Sequence, residues 1–239
     1  MNSQNHNVFN LKLFPTVLQL KRSSINREIY VYKDFLLDIN NLAISEKRKL
    51  EEMVNELVLK DPDNSEEIYD HFSDQFHIYD SKYVELANNG LLVNAYSFFE
   101  YQLKEIYRML DRFLVNKKTL IEKSNNNGYA ARTKNNIYDI TGLDFSSLEN
   151  LWLNLDQYRK IRNVIVHNGA NLYENKNKQL VKQKNYDLVS SFNEITINQK
   201  NGDFYITDHK LIFDYLDKVD EYLTEVCNIL KKLKNKDIC

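Results

Sequence analysis

Apolar side chains recur every three or four residues along most of this chain, which is the period of an amphipathic helix. The pattern predicts two long helices across residues 24–114, preceded by an N-terminal arm over residues 1–23. Pro62 separates the two helices, because proline cannot continue a helix. Asn64 and Glu67 have the spacing of a capping box and are expected to begin the second helix.

Shorter helices are expected over residues 124–170. Gly142 is placed to end the first of them as a C-terminal cap. Ser146 and Glu149 repeat the capping-box spacing and predict the start of the next helix, which should end near Asn168.

A lysine-rich stretch without periodicity, residues 171–186, is expected to be a surface loop. Residues 192–207 alternate apolar and polar side chains on both sides of Asn201 and Gly202, the preferred pair for a tight type I′ turn. The alternation predicts one small β-hairpin, which must pack on helices because a lone hairpin is only marginally stable.

The last predicted helix covers residues 208–235, and its apolar positions alternate steps of four and three, as in a heptad seam. The seam consists of Ile212, Leu216, Val219, Leu223, Val226, Leu230 and Leu233. It either packs on the core of its own chain or binds a partner helix.

Composition narrows the fold class. Five glycines and two prolines are too few for the many turns of an all-β fold or for a glycine-rich phosphate loop. We expect one mainly α-helical domain over residues 1–239, a bundle of long helices with a hairpin insertion.

No apolar run is long enough for a membrane span, and no signal pattern opens the chain. Cys227 and Cys239 provide neither a disulfide framework nor a zinc site, so a reducing, cytoplasmic location is expected.

One segment at the end of the 146–168 helix stands out, Arg162-Asn163-Val164-Ile165-Val166-His167-Asn168-Gly169. An arginine five positions before a histidine is by itself weak evidence for a functional motif. The asparagine after the arginine, the three apolar residues and the Asn-Gly pair after the histidine make the full string a specific signal.

The string resembles the Arg-x4-His motif of the HEPN superfamily (higher eukaryotes and prokaryotes nucleotide-binding), in its Arg-Asn-apolar-His form. The preceding long helix contains Tyr96-Ser97-Phe98-Phe99-Glu100, which resembles an aromatic–glutamate stretch of several bacterial members. The resemblance covers residues 65–170, and the flanking elements resemble additions in members linked to abortive phage infection. Members paired with a nucleotidyltransferase antitoxin usually carry tyrosine where this chain has Gly169, so that subgroup is not supported.

This resemblance implies a mainly α fold of HEPN type and a metal-independent endoribonuclease without a cofactor. It further implies a homodimer in which the arginine and histidine of both subunits face one RNA cleft. The substrate would be tRNA or another structured RNA. Because such a nuclease is toxic when always active, an antitoxin or other regulatory partner is expected, and no membrane partner is.

The implied reaction is attack by the 2′-hydroxyl of RNA on the adjacent phosphate. His167 is the candidate general acid and base, because histidine exchanges protons near neutral pH. Arg162, always charged and fork-shaped, would hold the charge that gathers on the phosphate oxygens. Asn163 shares a helix face with His167 and would orient the imidazole or contact the phosphate. Arg162 and His167 lie about 140° apart around the helix, which favours a site shared by two subunits. Asn168 and Glu100 are supporting candidates.

Positive charge gathers around the motif although the net charge of the chain is −2. Residues 104–134 contain eight basic and three acidic side chains. Residues 159–184 contain seven basic side chains and one acidic side chain. Residues 61–85 contain one basic and eight acidic side chains. Phosphate contacts would use the two basic regions. The predicted RNA-binding residues are Lys104, Arg108, Arg112, Arg159 and Lys160, and Tyr129 and Tyr173 are candidates to stack on bases.

Other interpretations stay open. The motif is purely structural if its three central apolar residues are buried, Arg162 pairs with an acid such as Glu100, and His167 bonds a backbone carbonyl. A different class of function is a non-catalytic binder of RNA or nucleotide, or a protein-interaction adaptor that uses the 212–233 seam. His71 and His77 lie six apart, which does not suit a metal pair on a helix, and no metal site is predicted.

Overall fold

The computed structural model describes residues 4–113, 128–176 and 179–233, with only the backbone for residues 4–12. Its fold is mainly α with a small β insertion, which confirms the predicted class. The long helices are α1 (Gln4–Lys60), α2 (Ser65–His77), α3 (Tyr83–Phe113), α4 (Tyr129–Thr141), α5 (Glu149–Asn168) and α7 (Lys210–Leu230). The short elements are β1 (Tyr173–Lys176), β2 (Gln179–Lys182), α6 (Tyr186–Ser190), β3 (Ile195–Ile197) and β4 (Phe204–Ile206).

Helix α1 begins earlier than the sequence pattern predicted. The described part of the predicted N-terminal arm is helical from Gln4 onward, and Phe14 and Leu18 are buried. These two apolar side chains are four apart, so they continue the helical stripe that begins at Ile25 and Ile29. Residues 4–23 are therefore part of α1, and the predicted arm is wrong for them.

The second predicted helix contains α2, a π-helical turn at Ile78–Lys82, and α3. Gly90 lies within α3 and does not break it. Pro62 opens a single 3₁₀ turn, Pro62–Asn64, between α1 and α2. The capping-box prediction is wrong, because Asn64 makes no side-chain cap and instead donates to Asp61 Oδ2 at 2.9 Å.

Gly142 ends α4 in a left-handed conformation, as predicted, with φ of 63°. The predicted cap of α5 is different in the structure. Asp144 Oδ1 accepts a hydrogen bond from the backbone N–H of Ser146 at 2.8 Å, at the start of the 3₁₀ turn Ser146–Leu148 that leads into α5. Residues 114 and 124–127, which the predicted helices include, lie outside the described residues, as does Cys239.

The chain after α5 is more regular than expected. Residues 171–186, predicted to be a loop, contain the antiparallel hairpin β1–β2 and the start of α6. The pairing register joins Tyr173 to Lys182 and Lys176 to Gln179. Both strands are largely exposed, so neither has the alternating apolar pattern by which a sequence identifies a strand.

The predicted hairpin is present as β3–β4, with Ile195 paired to Ile206 and Ile197 to Phe204. Its connection is six residues long rather than a two-residue type I′ turn. Gly202 has a positive φ of 83°, but Asn201 does not, whereas a type I′ turn needs both. An isolated bridge pairs Asn171, which lies between α5 and β1, with Asp203 in the connection between β3 and β4.

The chain divides into two compact units, where the sequence pattern predicted one domain. The first unit takes its residues from 1–30, 95–158 and 215–239, and the second from 31–94 and 159–214. Every boundary falls inside α1, α3, α5 or α7. No linker composition therefore marks these boundaries in the sequence.

Helix α7 settles the role of the heptad seam. The six seam residues Ile212, Leu216, Val219, Leu223, Val226 and Leu230 are each at most 1% exposed, which confirms the interpretation that the seam packs within the chain. Helix α7 ends at Leu230, so Leu233 is not part of it, and residues 234 and 235 of the predicted helix lie outside the described residues. Within the described residues, no helix is long and apolar enough to cross a membrane.

Aromatic side chains fill the core of the first unit. Phe99, Trp152 and Tyr222 lie with ring centres 5.7 to 6.1 Å apart. The hydroxyl oxygens of Tyr138 and Tyr222 are 3.0 Å apart. Burial raises the pKa of Tyr138 to about 12, and burial likewise raises the pKa of Tyr222.

Gly202→Ala should lower the free energy of unfolding by about 2 kcal/mol or more, because a side chain there adopts a strained φ and its Cβ collides with Tyr173. An ideal Cβ on Gly202 lies 2.5 Å from Tyr173 Cγ. Urea unfolding measures the change. The matched control is Gly90→Ala, whose Cβ meets nothing within 4 Å inside α3 and which should raise stability by about 0.5–1 kcal/mol. Equal effects of the two substitutions would contradict the described turn.

Alkaline pH should destabilise the protein through the buried tyrosines. Tyrosine in the unfolded chain ionises near pH 10, whereas Tyr138 in the fold ionises near pH 12, so the unfolded state binds fewer protons between these values. The contribution of Tyr138 to the free energy of unfolding is therefore fully present below about pH 9 and is lost as pH rises toward about 12. Urea unfolding across this pH range should show that the free energy of unfolding falls less steeply with pH for Tyr138→Phe than for the wild type. The exposed-site control Tyr30→Phe should leave the decline unchanged, and a Tyr138→Phe decline as steep as that of the wild type would refute the assignment.

Candidate functional site

The Arg-Asn-x3-His segment occupies the last two turns of α5, within the second unit. Ile161 and Val164 are buried and fix the rotation of this part of the helix. Val166 is 45% exposed and His167 is exposed. The segment is therefore anchored by one buried face, and the structural interpretation that required all three central apolar residues to be buried is wrong for Val166.

Arg162 and Asn163 contact each other. Arg162 Nη1 donates a hydrogen bond to Asn163 Oδ1 at 3.1 Å, and both side chains are half-buried. The carboxamide of Asn163 thus orients the guanidinium, whereas the sequence suggested that it orients the imidazole or contacts the phosphate. Because Asn163 Oδ1 is the acceptor in this bond, its Nδ2 group is a donor that a phosphate oxygen can use.

His167 lies one turn beyond Asn163, near the end of α5. Its ring makes no hydrogen bond or ion pair with any residue in the described parts of the chain. The structural interpretation had His167 bonded to a backbone carbonyl, and that bond is not present among these residues. An exposed imidazole with both nitrogens available suits proton transfer to and from a bound substrate.

The chain reverses immediately after His167. Gly169 and Ala170 both adopt left-handed conformations, with φ of 60° and 59°. The Ala170 N–H donates to the carbonyl of Val164 at 3.2 Å, and the Ala170 carbonyl accepts from the N–H of Phe204 at 2.8 Å. The first bond closes the end of α5, and the second ties the reversal to β4.

Asn168 links the end of α5 to the first hairpin. Its Nδ2 donates to Gln183 Oε1, and Gln183 Nε2 donates to the carbonyl of Tyr173 at 3.0 Å. Asn168 therefore ties the end of α5 to Gln183. Sequence reasoning missed Gln183 and Ala170, because each acts through a contact with a distant segment and neither belongs to a local pattern.

The remaining predicted residues divide between the units. Arg159 and Lys160 lie on α5 in the second unit, half-buried and engaged in contacts of their own. Lys182, in β2 of the same unit, places its Nζ 3.8 Å from the ring centre of Tyr186. The other predicted residues, Glu100, Lys104, Arg108 and Arg112, lie on α3 in the first unit.

No group of three histidine, cysteine, aspartate or glutamate side chains that could hold a metal ion occurs in the described parts of the chain. His71 is exposed on α2, and His77 Nδ1 lies 3.2 Å from Ser81 Oγ.

Comparison with known proteins finds no match: no family model, no curated protein and no solved structure is significantly similar to this chain. The resemblance to the HEPN superfamily thus depends on the motif and its setting alone.

Ala170→Gly should stabilise the protein, because glycine adopts a left-handed conformation without steric cost. We expect the free energy of unfolding to rise by up to about 1 kcal/mol, after allowance for the greater freedom of glycine in the unfolded chain. The same substitution at Ala87, inside α3, should lower it by about 1 kcal/mol. Urea unfolding of both variants tests the opposite signs, and destabilisation by Ala170→Gly would show that the reversal carries no strain.

Proposed function

We propose that this protein is a metal-independent endoribonuclease whose site is formed by Arg162, Asn163 and His167. The observation that carries the proposal is the exposed imidazole of His167, one turn beyond an asparagine that holds the Arg162 guanidinium. A proton-transfer group and a fixed cation at neighbouring positions are the two components that phosphate transfer to a 2′-hydroxyl needs. The seven basic and one acidic side chains of residues 159–184 would attract the RNA backbone.

The reaction would proceed without an added co-reactant. His167 accepts the proton of the 2′-hydroxyl, and the 2′-oxygen forms a bond to the adjacent phosphorus. The bond from phosphorus to the 5′-oxygen then breaks, and the departing oxygen receives a proton from an imidazolium. Arg162 stabilises the charge on the remaining phosphate oxygens during the exchange. The products are a 2′,3′-cyclic phosphate and a 5′-hydroxyl.

Each chain would contribute a complete set of the three site residues, Arg162, Asn163 and His167. The spacing of Arg162 and His167 alone favoured a site shared by two subunits, but the bond to Asn163 draws the guanidinium toward the residue that shares a face with His167. In the homodimer that the resemblance implies, two such sets would face one RNA, and one His167 would act as base while the other acts as acid.

The biological setting is what the resemblance to the HEPN superfamily implies. A ribonuclease of this type would act on tRNA or other structured RNA in the cytoplasm and arrest growth. We propose a toxin or an anti-phage effector held in check by an antitoxin or another regulatory partner. The adaptor alternative gains no support, because the seam of α7 on which it depended is buried from Ile212 to Leu230.

His167→Ala should reduce the cleavage rate by about 10²–10⁴-fold, because general acid–base catalysis contributes that much. Wild type and variant are incubated with total cellular RNA and with a tRNA pool in EDTA, and the cleaved ends are mapped over time.

The matched control is His71→Ala, which removes an exposed helical histidine from the acidic 61–85 segment and should cleave like the wild type. Cleavage by His167→Ala at the wild-type rate would remove His167 from the mechanism. Absence of cleavage by the wild type, with dimers present in solution, would leave a non-catalytic binder as the better description.

A further inference from the structure

One face of α3 in the first unit presents a row of cations beside an exposed aromatic ring. Tyr101, Lys104, Arg108 and Arg112 are spaced by three, four and four residues, so they form one stripe along the helix. Tyr101 is 54% exposed, and Arg108 and Arg112 are also exposed. The stripe lies outside the Arg-Asn-x3-His motif, which belongs to the second unit.

Neighbouring helices of the same unit extend this face. Lys104 Nζ lies 5.5 Å from the ring centre of Tyr129 at the start of α4, and the guanidinium of Arg132 lies 5.9 Å from the same centre. Tyr129 is 40% exposed. On α1, Lys21 Nζ lies 5.8 Å from the ring centre of Tyr101. Two accessible tyrosine rings therefore alternate with cations across three helices.

A groove of about 350 Å³ opens beside the stripe, between α1 and α3. Three cations line it, Lys21, Arg108 and Arg112, together with the apolar side chain of Leu20. Among the described residues that line the groove, Glu105 is the one carboxylate, and its Oε1 accepts a hydrogen bond from Arg108 Nη1 at 2.6 Å. The groove thus combines excess positive charge with an apolar wall, which suits a ligand made of phosphates and flat rings.

Single-stranded RNA has that chemistry. Every base has a face that stacks on a tyrosine ring, and every linkage has a phosphate that a cation can neutralise. A duplex hides its base faces, and an acidic peptide offers carboxylates without planar rings to stack.

We propose that this face of the first unit binds single-stranded RNA, with bases stacked on the two tyrosines and phosphates held by the cations. The tyrosine–cation surface comprises Tyr101, Lys104, Arg108, Arg112, Tyr129 and Arg132. The inference depends on the proposed function in taking RNA as the substrate, and it adds that the bound strand is unpaired and is held by residues outside the motif.

The test uses the full-length His167→Ala protein, so that RNA is not consumed, and a short fluorescein-labelled RNA without self-complementarity. Fluorescence anisotropy gives the affinity over a range of salt concentrations in EDTA. Tyr101→Ala and Tyr129→Ala should each weaken binding by at least about fivefold at an unchanged salt slope, because they remove stacking. The double variant Arg108→Gln/Arg112→Gln should lower the slope of log affinity against log salt by about 1.4, because two phosphate contacts are lost.

Two further sets of variants keep the test decisive. Tyr101→Phe and Tyr129→Phe retain the rings and should bind like the parent protein, which separates loss of stacking from loss of folding. The matched controls are Tyr30→Ala and Arg27→Gln, both exposed on α1 within the first unit, and neither should change affinity or slope. Unlabelled duplex RNA and polyglutamate should compete far less well than the unlabelled single strand.

The proposal is overturned if the alanine variants bind like the parent, if the phenylalanine variants lose affinity equally, or if duplex RNA or polyglutamate competes as well as the single strand. These outcomes leave the proposed nuclease intact, because cleavage is measured separately with His167 present. Conversely, a wild-type protein that binds the strand through this surface but never cleaves RNA would refute the nuclease alone.

Discussion

The candidate site depends on the backbone reversal at Gly169 and Ala170. A helix that ends in two left-handed residues exposes its last side chains and sends the chain back along a new direction. Glycine adopts this conformation at no steric cost, but alanine pays about 1–2 kcal/mol for it. The surrounding structure holds the alanine in place, since its N–H bonds the carbonyl of Val164 and its carbonyl accepts from Phe204. The strain lies three residues beyond His167, and functional sites are where such strain is commonly stored.

The β insertion gains a structural role from this reversal. The hairpin β3–β4 bonds Ala170 through Phe204, and its loop bonds Leu172 through the carbonyl of Gly202 at 2.8 Å. The other hairpin reaches Asn168 through Gln183. Two small sheets, each too short to be stable alone, therefore hold the reversal at which α5 ends.

Both units contain regions in which positive charge is concentrated. The second unit carries the motif and the basic stretch 159–184, but it also contains the acidic stretch 61–85. The first unit carries the tyrosine–cation surface on α3 and α4. The net charge of −2 thus conceals stretches of the chain in which positive charge is concentrated.

Much of the fold could be predicted from the sequence, because long helices are recognised by their period and by the scarcity of proline and glycine. The ends of α4 and α5, the burial of the α7 seam and the existence of β3–β4 were all predictable in this way. The hairpin β1–β2 was not, because its exposed strands carry no apolar alternation.

The site was only partly predictable. Its residues came from one contiguous motif, whereas the bond of Arg162 to Asn163 required the orientation of a side chain that spacing alone leaves open. Gln183 and the strained Ala170 depend on contacts between segments far apart in the chain. The division into two units could not be predicted from the sequence, because every boundary falls inside a helix.

In the proposed function, RNA is cut by its own 2′-hydroxyl at a site containing His167 and Arg162. This chemistry can be tested with an RNA that carries a single 2′-deoxyribose on the 5′ side of the phosphate that the wild-type protein cleaves. We expect cleavage to stop at that phosphate in EDTA while other sites continue to be cut to cyclic phosphates. Continued cleavage at the substituted position would contradict it, because the attacking nucleophile would then be water or a protein group.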